Sequence, residues 1–238
     1  MEKYKITLIS DTHCKHKQLT EDLPGGDLII CAGDISSMGY EHEIREFCAW
    51  FSKLSKYTHK IFIAGNHDWG FQDNFSKVNE ILDFYKGVTY LQDDLACIGK
   101  NEDAFNYESM IKIYGSPWQP EFYNWAFNLP RNSPEMWEVM LKMPVNTDIL
   151  ITHGPAYGTL DSTEWDRSKN LGCEMLAERI AQLKPKIHVC GHIHSGYGYK
   201  FDGTTHFFNA AVLGESYTYQ NKPFTFEWDK DTNEINFL

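Results

Sequence analysis

The chain has 238 residues, of which 42% are hydrophobic and 15% aromatic, and its formal net charge at pH 7 is −11. This apolar fraction is enough for a substantial core and excludes an intrinsically disordered chain. The acidic balance, without a block of lysines or arginines, argues against an extended nucleic-acid surface and against an acidic-membrane surface, since both need a basic footprint.

Six short apolar runs along the chain are each followed at once by a polar segment that contains glycine, serine or histidine. Runs that are apolar for most of their length are typical of strands covered on both faces. They are YKITLIS before Asp11, DLIICA before Gly33, HKIFIA before Gly65, MIKIYG before Ser116, DILIT before His153 and KIHVC before Gly191.

Two segments between these runs carry apolar residues at helical spacing. Residues 41–57 place Ile44, Phe47 and Phe51 close to one helix face, which predicts a helix over this range. Residues 171–184 show the same spacing, and the proline at position 185 follows the end of that predicted helix. Helices that alternate with such strands indicate an α/β protein.

The last part of the chain is predicted to return to strands. HFFNAAVLG (206–214) is one of them, and 223–238 indicates a hairpin that turns near Asp231 to Asn233. Because no repeat, low-complexity tract or flexible linker interrupts the chain, we expect a single domain over residues 1–238.

Cysteine usage and the N-terminal residues bear on the compartment. The six cysteines at positions 14, 31, 48, 97, 173 and 190 form no C-x-x-C pair, which argues against a zinc knuckle or a thioredoxin-type motif. Reduced, buried thiols of this kind are typical of a reducing compartment. The N-terminal MEKYKITLIS lacks a signal-peptide pattern, and no apolar run approaches the ~18 residues of a membrane span. We therefore expect a cytoplasmic protein with no membrane partner.

Aspartate, asparagine and histidine recur where the predicted strands end. They are Asp11 and His13; Asp34; Asn66, His67 and Asp68; His153; and His192 and His194. The carboxyl ends of strands in an open α/β sheet share one crevice, where ligands bind. Oxygen and nitrogen ligands without a thiolate suit manganese, iron, zinc or cobalt. Their number is too large for one ion and fits two, so the pattern predicts a binuclear metal site.

The stretch CGHIHSG (190–196) places two histidines one residue apart. In extended chain, residues i and i+2 point the same way, so we expect His192 and His194 to project toward one cluster. The same spacing holds for Asp11 and His13. The flanking glycines allow a tight bend and keep side-chain bulk away from the ions.

The blocks DTH, GD, GNHD, THG and GHIH follow one another between residues 11 and 194. In this order they resemble the signature of the calcineurin-like metallophosphoesterases. Over nearly the whole chain, segments such as KIFIAGNHD, KIYGSPWQP and PKIHVCGHIHSGYG are similar to the small subfamily of metallophosphoesterase-domain-containing proteins 1 and 2. The resemblance implies a four-layer α/β/β/α sandwich. It also implies two divalent transition-metal ions, foremost manganese, with iron, zinc, cobalt or nickel as alternatives.

The resemblance also implies a role for each residue. One ion is expected on Asp11, His13, Asp34 and His194, and the other on Asp34, Asn66, His153 and His192, with Asp34 as the bridge. His67 is expected to be catalytic, because it can reach over the phosphate to stabilise charge or to protonate the leaving oxygen. Asp68 is expected to orient His67 through a ring N–H hydrogen bond, and the structural alternative makes Asp68 a helix N-cap.

The implied activity is that of a phosphodiesterase. Its substrates would be small phosphodiesters such as 2′,3′- or 3′,5′-cyclic nucleotides, hydrolysed by attack of a metal-bound hydroxide. Two alternatives stay open: a phosphomonoesterase with the same site, and a nucleotide-binding regulatory protein with weak turnover. The natural partner in each case is a small phosphoester or a nucleotide.

The segment YGSPWQPEFYNWAF (114–127) is dense in aromatic residues and follows a predicted strand. It can wall the pocket and stack on a base, which makes Trp118 a candidate substrate contact. Tyr197, next to the GHIH block, is a second candidate, beside Asn66 and His67. The alternative for the segment is a hydrophobic cluster beneath a long loop.

Overall fold

A computed structural model of the protein describes residues 2–99 and 110–238. The strands are β1 (Lys3–Ile9), β2 (Gly26–Cys31), β3 (Tyr57–Phe62), β4 (Thr89–Tyr90), β5 (Asp94–Ile98), β6 (Ile111–Ser116), β7 (Gln119–Pro120), β8 (Asn128–Leu129), β9 (Ile149–Thr152), β10 (Ile187–Cys190), β11 (Gly198–Phe201), β12 (His206–Asn209), β13 (Phe224–Asp229) and β14 (Glu234–Phe237). The α-helices are α1 (Glu41–Ser52), α2 (Trp69–Asp73), α3 (Phe75–Phe84), α4 (Pro134–Lys142) and α5 (Glu174–Leu183). Two 3₁₀ helices lie at His16–Asp22 and His194–Gly196.

All six strands predicted from the apolar runs are present, as β1, β2, β3, β6, β9 and β10. The predicted helix over 41–57 is shorter than expected, because α1 ends at Ser52 and Tyr57 already begins β3. The strand predicted over 206–214 ends at Asn209, and beyond it Ala211 and Leu213 form isolated bridges with Ser10 and Tyr219. The C-terminal hairpin is confirmed as β13 and β14.

The large strands of the described chain form two sheets of six strands each. The first has the order β14-β13-β1-β2-β3-β4, and the second the order β11-β12-β10-β9-β6-β5. Neighbours among β1, β2, β3 and β4 are parallel, as are those among β6, β9, β10 and β12. Antiparallel strands close the remaining edges of both sheets.

In the part of the chain that the structure describes, the hydrophobic core has three parts, which define four layers. The middle part lies between the sheets, where Leu8 and Ile30 of the first pack with Ile151 and Val189 of the second. On the outer face of the first sheet the core is completed by α1 and α3, and on that of the second by α4 and α5. The predicted α/β/β/α sandwich is therefore confirmed.

The parallel strands bring five loops to one edge of the sandwich. Ile9 pairs with Cys31, and Cys31 pairs with Phe62, so β1, β2 and β3 end level with one another. In the second sheet, β9 and β10 end side by side, and the Gly191 N–H donates to the carbonyl of His153 at 2.9 Å. The sequence blocks therefore meet in space, although they are far apart along the chain.

Within the part of the chain that the structure describes, every helix is too short or too polar to cross a lipid bilayer.

Candidate metal centre

The polar side chains predicted as ligands converge where these five loops meet. Most of them are buried, which is unusual for aspartate and histidine unless they are paired or bind a cation. The buried ones are Asp11, His13, Asp34, Asn66, His153 and His194, and His192 is half-buried. Three triads have ligand atoms within 4.8 Å of one another: Asp11, His13 and His194; Asp11, Asp34 and His153; and His13, Asp34 and His67.

Asp34 lies between the two halves of the set. Its Oδ2 is 3.6 Å from His13 Nε2 and 3.4 Å from His153 Nε2. Its Oδ1 accepts the backbone N–H of His67 at 2.8 Å, which fixes the rotation of the carboxylate. One oxygen therefore faces histidines from both halves, as a bridging ligand requires.

The first half is built on Asp11, His13 and His194. His194 Nε2 lies 3.4 Å from Asp11 Oδ1 and 3.4 Å from His13 Nε2. The other ring nitrogen of His194, Nδ1, faces the carbonyl of Gly214 at 3.1 Å. Because a carbonyl only accepts, Nδ1 carries the proton, and in the neutral ring the Nε2 lone pair points at the carboxylate.

The second half repeats this arrangement on His153. Its Nδ1 donates to the carbonyl of Ala32 at 2.9 Å, while its Nε2 faces Asp34 Oδ2 and lies 3.0 Å from Asn66 Oδ1. The ring of His192 is the neighbour of His153, with centroids 5.1 Å apart. Lone pairs of nitrogen and oxygen that face each other need a proton or a cation between them, so the donor set fits divalent metal ions.

The pKa values of the histidines also indicate that the buried carboxylates favour positive charge in the site. Burial disfavours the charged form of His153, but the Asp34 and Asp11 carboxylates outweigh it and raise its pKa to about 9. His194 behaves alike: against the effect of burial, the hydrogen bond and charge of Asp11 raise its pKa to about 9. Burial dominates at the other two histidines, lowering the pKa of His13 to about 4 and that of His192 to about 3. The carboxylates thus hold protons on nearby imidazoles, where a metal ion would replace them.

The backbone that aims these side chains is not extended, so the predicted alternation of residues i and i+2 along an extended chain is wrong here. Asp11, His13 and His192 have φ of 55°, 37° and 67°, and His194 begins a 3₁₀ helix. Left-handed conformations at residues other than glycine are uncommon and concentrate at functional sites. The side chains therefore converge through tight turns after the strands.

Glycine is required at two points by close approach. A Cβ at Gly191 would lie 2.0 Å from Asp11 Oδ2, and one at Gly65 would lie 2.3 Å from Asp34 Oδ1. Both distances are far shorter than van der Waals contact. Without these glycines the Asp11 carboxylate could not lie against the backbone at position 191, nor the Asp34 carboxylate against the backbone at position 65.

His67 lies at the mouth of the centre, half-buried, with its ring held on several sides. Its Nδ1 faces the carbonyl of Ser37 at 2.8 Å, and its ring stacks on Trp125 with centroids 4.0 Å apart and planes at 27°. The edge of His13 lies against the same ring, at a centroid distance of 4.6 Å. With Nδ1 donating to Ser37, the nitrogen left for chemistry is Nε2.

Asp68 does not orient His67 as predicted. Its buried carboxylate accepts the backbone N–H groups of Gly65 at 2.7 Å, Ser36 at 3.0 Å and Ile35 at 3.2 Å, and it also contacts the Ser36 hydroxyl. Ser37 takes the place expected for Asp68 at the His67 ring. Asp68 does occupy the N-cap position of α2, as the structural alternative predicted, but its side chain makes no capping bond there. Burial, followed by the charge of Asp34, raises the pKa of Asp68 to about 7.

We expect Asp68→Ala to destabilise the protein, because it leaves three buried N–H groups without their acceptor. Each such group costs about 1–3 kcal/mol, so the free energy of unfolding should fall by about 3 kcal/mol or more. For a chain of this length that corresponds to a Tm decrease of roughly 6–12 °C, measurable by circular dichroism. Asp73→Ala, at an exposed position of α2, is the matched control. If both variants had the same Tm, the hydrogen bonds from the three backbone N–H groups to Asp68 would not contribute to stability.

A cleft of about 240 Å³ opens beside the ligand set. Asn66 and His67, both predicted substrate contacts, lie in its wall. Gln119 and Phe122 lie there too, as members of the 114–127 segment that was predicted to wall the pocket. Arg131, Thr163, Glu215 and Tyr217 also line the cleft and were not predicted from the sequence. Tyr217 follows no motif, and only its place in the fold identifies it.

The other two predicted substrate contacts lie elsewhere. The indole N–H of Trp118 donates to Asp93 at 3.0 Å, and its ring packs on Phe127 within the core. The hydroxyl of Tyr197 donates to the carbonyl of Lys222 at 2.8 Å, and its ring stacks on Phe224. Neither residue lines the described cleft, because each side chain is used for packing and for a hydrogen bond elsewhere.

Known proteins match this chain in sequence and in fold. A family model described as calcineurin-like phosphoesterase matches residues 4–196. Metallophosphoesterase domain-containing protein 1 of Homo sapiens is 37% identical over 238 residues, which cover 92% of this chain and 69% of that protein, and its namesake in Mus musculus matches with the same values.

Two solved structures share the architecture. The protein TT1561 of Thermus thermophilus superposes with a TM-score of 0.66 at 12% identity, covering 100% of this chain and 99% of that one. Phosphopantetheinyl hydrolase of Mycobacterium tuberculosis superposes with a TM-score of 0.57 at 16% identity, covering 90% of each chain. At such low identity these likenesses bear on the fold alone.

Proposed function

The chain belongs to the calcineurin-like phosphoesterase family, and from this premise we propose that it is a binuclear phosphodiesterase for small substrates such as cyclic nucleotides. Family membership supports a metal-dependent phosphoester hydrolase, and the preference for diesters is our proposal. The observation that carries the binuclear assignment is the single Asp34 oxygen that faces His13 at 3.6 Å and His153 at 3.4 Å.

In this proposal one ion is held by Asp11, His13, Asp34 and His194, and the other by Asp34, Asn66, His153 and His192. Divalent ions bound there, manganese foremost, would offset phosphate charge and lower the pKa of coordinated water from ~15.7 toward ~7. The Asn66 amide contributes an oxygen without adding negative charge. The centre can therefore attract a phosphate, although the protein carries a net charge of −11.

The residue proposed to handle the proton is His67. Its backbone N–H is bonded to Asp34, its Nδ1 to Ser37, and its ring lies on Trp125, so Nε2 is held in one direction at the cleft wall. A protonated His67 would donate from Nε2 to the leaving alkoxide as the bond from phosphorus to oxygen breaks, and would regain a proton from water. The contacts of the ring with Ser37 and Trp125 support a fixed, rather than a mobile, imidazole.

The proposal is tested by hydrolysis assays after reconstitution with manganese. The panel holds 2′,3′- and 3′,5′-cyclic nucleotides, bis-p-nitrophenyl phosphate and p-nitrophenyl phosphate, with His192→Ala as the inactive control. Turnover of diesters that is lost in the control is the expected result. Turnover of the monoester alone would replace the proposal with a phosphomonoesterase. If the metal-loaded protein hydrolysed none of these substrates, the proposal would be replaced by that of a nucleotide-binding regulatory protein.

We also propose that the protein works in the cytoplasm. Its cysteines Cys14, Cys31, Cys48, Cys97, Cys173 and Cys190 are all free, and four of them are buried. Unpaired cysteines in this number are typical of proteins from reducing compartments. Immunofluorescence of the protein in its native cells, compared with organelle markers, tests the location.

A further inference from the structure

Two aromatic side chains stand beside the candidate metal centre, one at each half of the ligand set. The Tyr217 ring lies 4.8 Å from the ring of His13 and 5.1 Å from that of His194. The Phe122 ring lies 5.4 Å from that of His192, edge to face. Both line the cleft, and both keep close to half of their surface exposed, 44% for Tyr217 and 45% for Phe122. A phosphoryl group bound at the centre would therefore lie between two aromatic walls.

The loop that carries Tyr217 is tied to the candidate ligand His194 and to Ser195 by hydrogen bonds of Gly214 and Glu215. The carbonyl of Gly214 accepts from His194 Nδ1 at 3.1 Å and from the Tyr217 N–H at 2.8 Å, while Glu215 accepts the N–H of Ser195 at 3.1 Å. Tyr217 itself has a φ of 55°, a conformation that is a genuine outlier for a bulky residue. Strain of this kind persists where the surrounding bonds over-determine it, as they do in this loop.

The loop that carries Phe122 is held by hydrogen bonds to the side chain of Asn128. The Asn128 amide donates to the carbonyls of Phe122 at 3.3 Å and Tyr123 at 2.9 Å, and its oxygen accepts the Phe122 N–H at 3.4 Å. Strands β7 and β8 close the base of this loop. Two separate loops thus place an aromatic ring in the wall of one cleft, and neither ring is buried in the hydrophobic core.

The charges in the rest of the cleft wall disfavour a second anionic group. Among the described residues that line it, and apart from the histidines and the candidate ligand Asp34, the charged ones are Glu121, Arg131 and Glu215. Arg131 is already engaged: it lies 2.6 Å from a Glu174 oxygen and donates to the carbonyls of the two residues 171 and 172. A second phosphate or a carboxylate on a substrate would therefore meet two glutamates and an arginine whose charge is offset.

We infer that Phe122 and Tyr217 contact the organic part of the substrate on either side of the bound phosphoryl group. The preferred substrates are then phosphodiesters whose ester groups carry a ring or other apolar surface, with no second anionic group. This inference rests on the proposed function and adds the part of the site that selects among diesters. A ring on the substrate can bury area against the aromatic walls and can stack on them or meet them edge to face, whereas a methyl ester is too small to do either.

The test compares two monoanionic diesters that release the same p-nitrophenolate: p-nitrophenyl phenyl phosphate and methyl p-nitrophenyl phosphate. We expect the wild-type protein to favour the phenyl ester roughly tenfold in kcat/KM, mainly through KM. Phe122→Ala and Tyr217→Ala should each reduce this ratio by at least about threefold. Tyr217→Phe, which keeps the ring, should preserve the ratio, and it separates loss of the wall from loss of the hydroxyl.

Phe84→Ala is the control. Phe84 ends α3, is 72% exposed and lies outside the cleft wall, so the ratio should stay at the wild-type value. The charge argument is tested with the 4-carboxyphenyl analogue of the phenyl ester, for which we expect kcat/KM to fall at least about threefold at low ionic strength.

A ratio near one in the wild-type protein, or an unchanged ratio in both alanine variants, would overturn the inference. So would equal rates for the phenyl and 4-carboxyphenyl esters. These outcomes are distinct from failure of the proposed function, which would appear as no metal-dependent turnover of either diester by the wild-type protein.

Discussion

In the proposed binuclear centre, Asp34→Asn is expected to reduce the bound metal from two ions to at most one per chain and to lower kcat by at least about a thousandfold. The same carboxylate oxygen faces His13 and His153, so its replacement by a neutral amide weakens both halves of the site. The loss of one negative charge also removes part of the attraction for the remaining ion. Plasma mass spectrometry measures the metal content, and steady-state kinetics with a diester measures the fall in kcat.

Asp229→Asn is the control for this substitution. Asp229 is also buried, at 4% exposure, but it lies in the C-terminal hairpin and accepts backbone N–H groups of the turn. We expect its variant to bind metal and turn over substrate as the wild type does. Two ions retained in Asp34→Asn would contradict the bridging role.

His67→Gln is expected to lower kcat by about 10²–10⁴-fold for substrates with an alkoxide leaving group, with both metal ions retained. The effect should be much smaller when p-nitrophenolate leaves, because that group needs no proton. The glutamine side chain removes the proton donor at the cleft wall, while the backbone N–H that holds Asp34 stays in place. The measurement is kcat for a cyclic nucleotide and for bis-p-nitrophenyl phosphate in the same metal-loaded preparations.

The exposed His42 of α1 offers a matched control, since His42→Gln changes the same side chain far from the centre and should leave both rates unchanged. Two results would exclude the proton-donor role of His67. One is loss of metal from His67→Gln, which would make the residue a ligand. The other is an equal loss of rate with both leaving groups.

Much of the fold followed from patterns that depend on neighbouring residues alone. The six apolar runs are all strands that have at least one parallel neighbour. They could be recognised because a strand that is covered on both faces needs apolar side chains along its whole length. Helix and strand ends were less well predicted. α1 ends at Ser52 because β3 begins five residues later, and that strand boundary is set by pairing with β2 rather than by helical spacing.

The polar residues at the strand ends were found from sequence for the same reason. Parallel strands that end level bring whatever follows them to one edge, so Asp11, Asp34 and His153 could be placed together without coordinates. The local geometry that aims them was not predictable in this way. Alternation along an extended chain accounts for none of it, because Asp11, His13 and His192 have positive φ.

Roles that depend on contacts between loops were the least predictable. Asp68 follows His67 directly in the chain, yet its carboxylate serves the backbone of residues 35, 36 and 65. Trp118 is in the aromatic segment but donates to Asp93 within the packed part of the molecule. Tyr217 has no motif around it and still lies against two candidate ligands.

The family and the four-layer sandwich were predicted from the motifs that this chain shares with known metallophosphoesterases. The strands and the polar residues at their ends were predicted from residue type and periodicity, because these encode local structure and parallel strands carry those residues to one edge. Which acceptor orients His67 and which aromatic rings face the cleft became visible only in the folded molecule. Such choices depend on which donor, acceptor or ring another loop brings within about 3–5 Å, and chain position does not specify that distance.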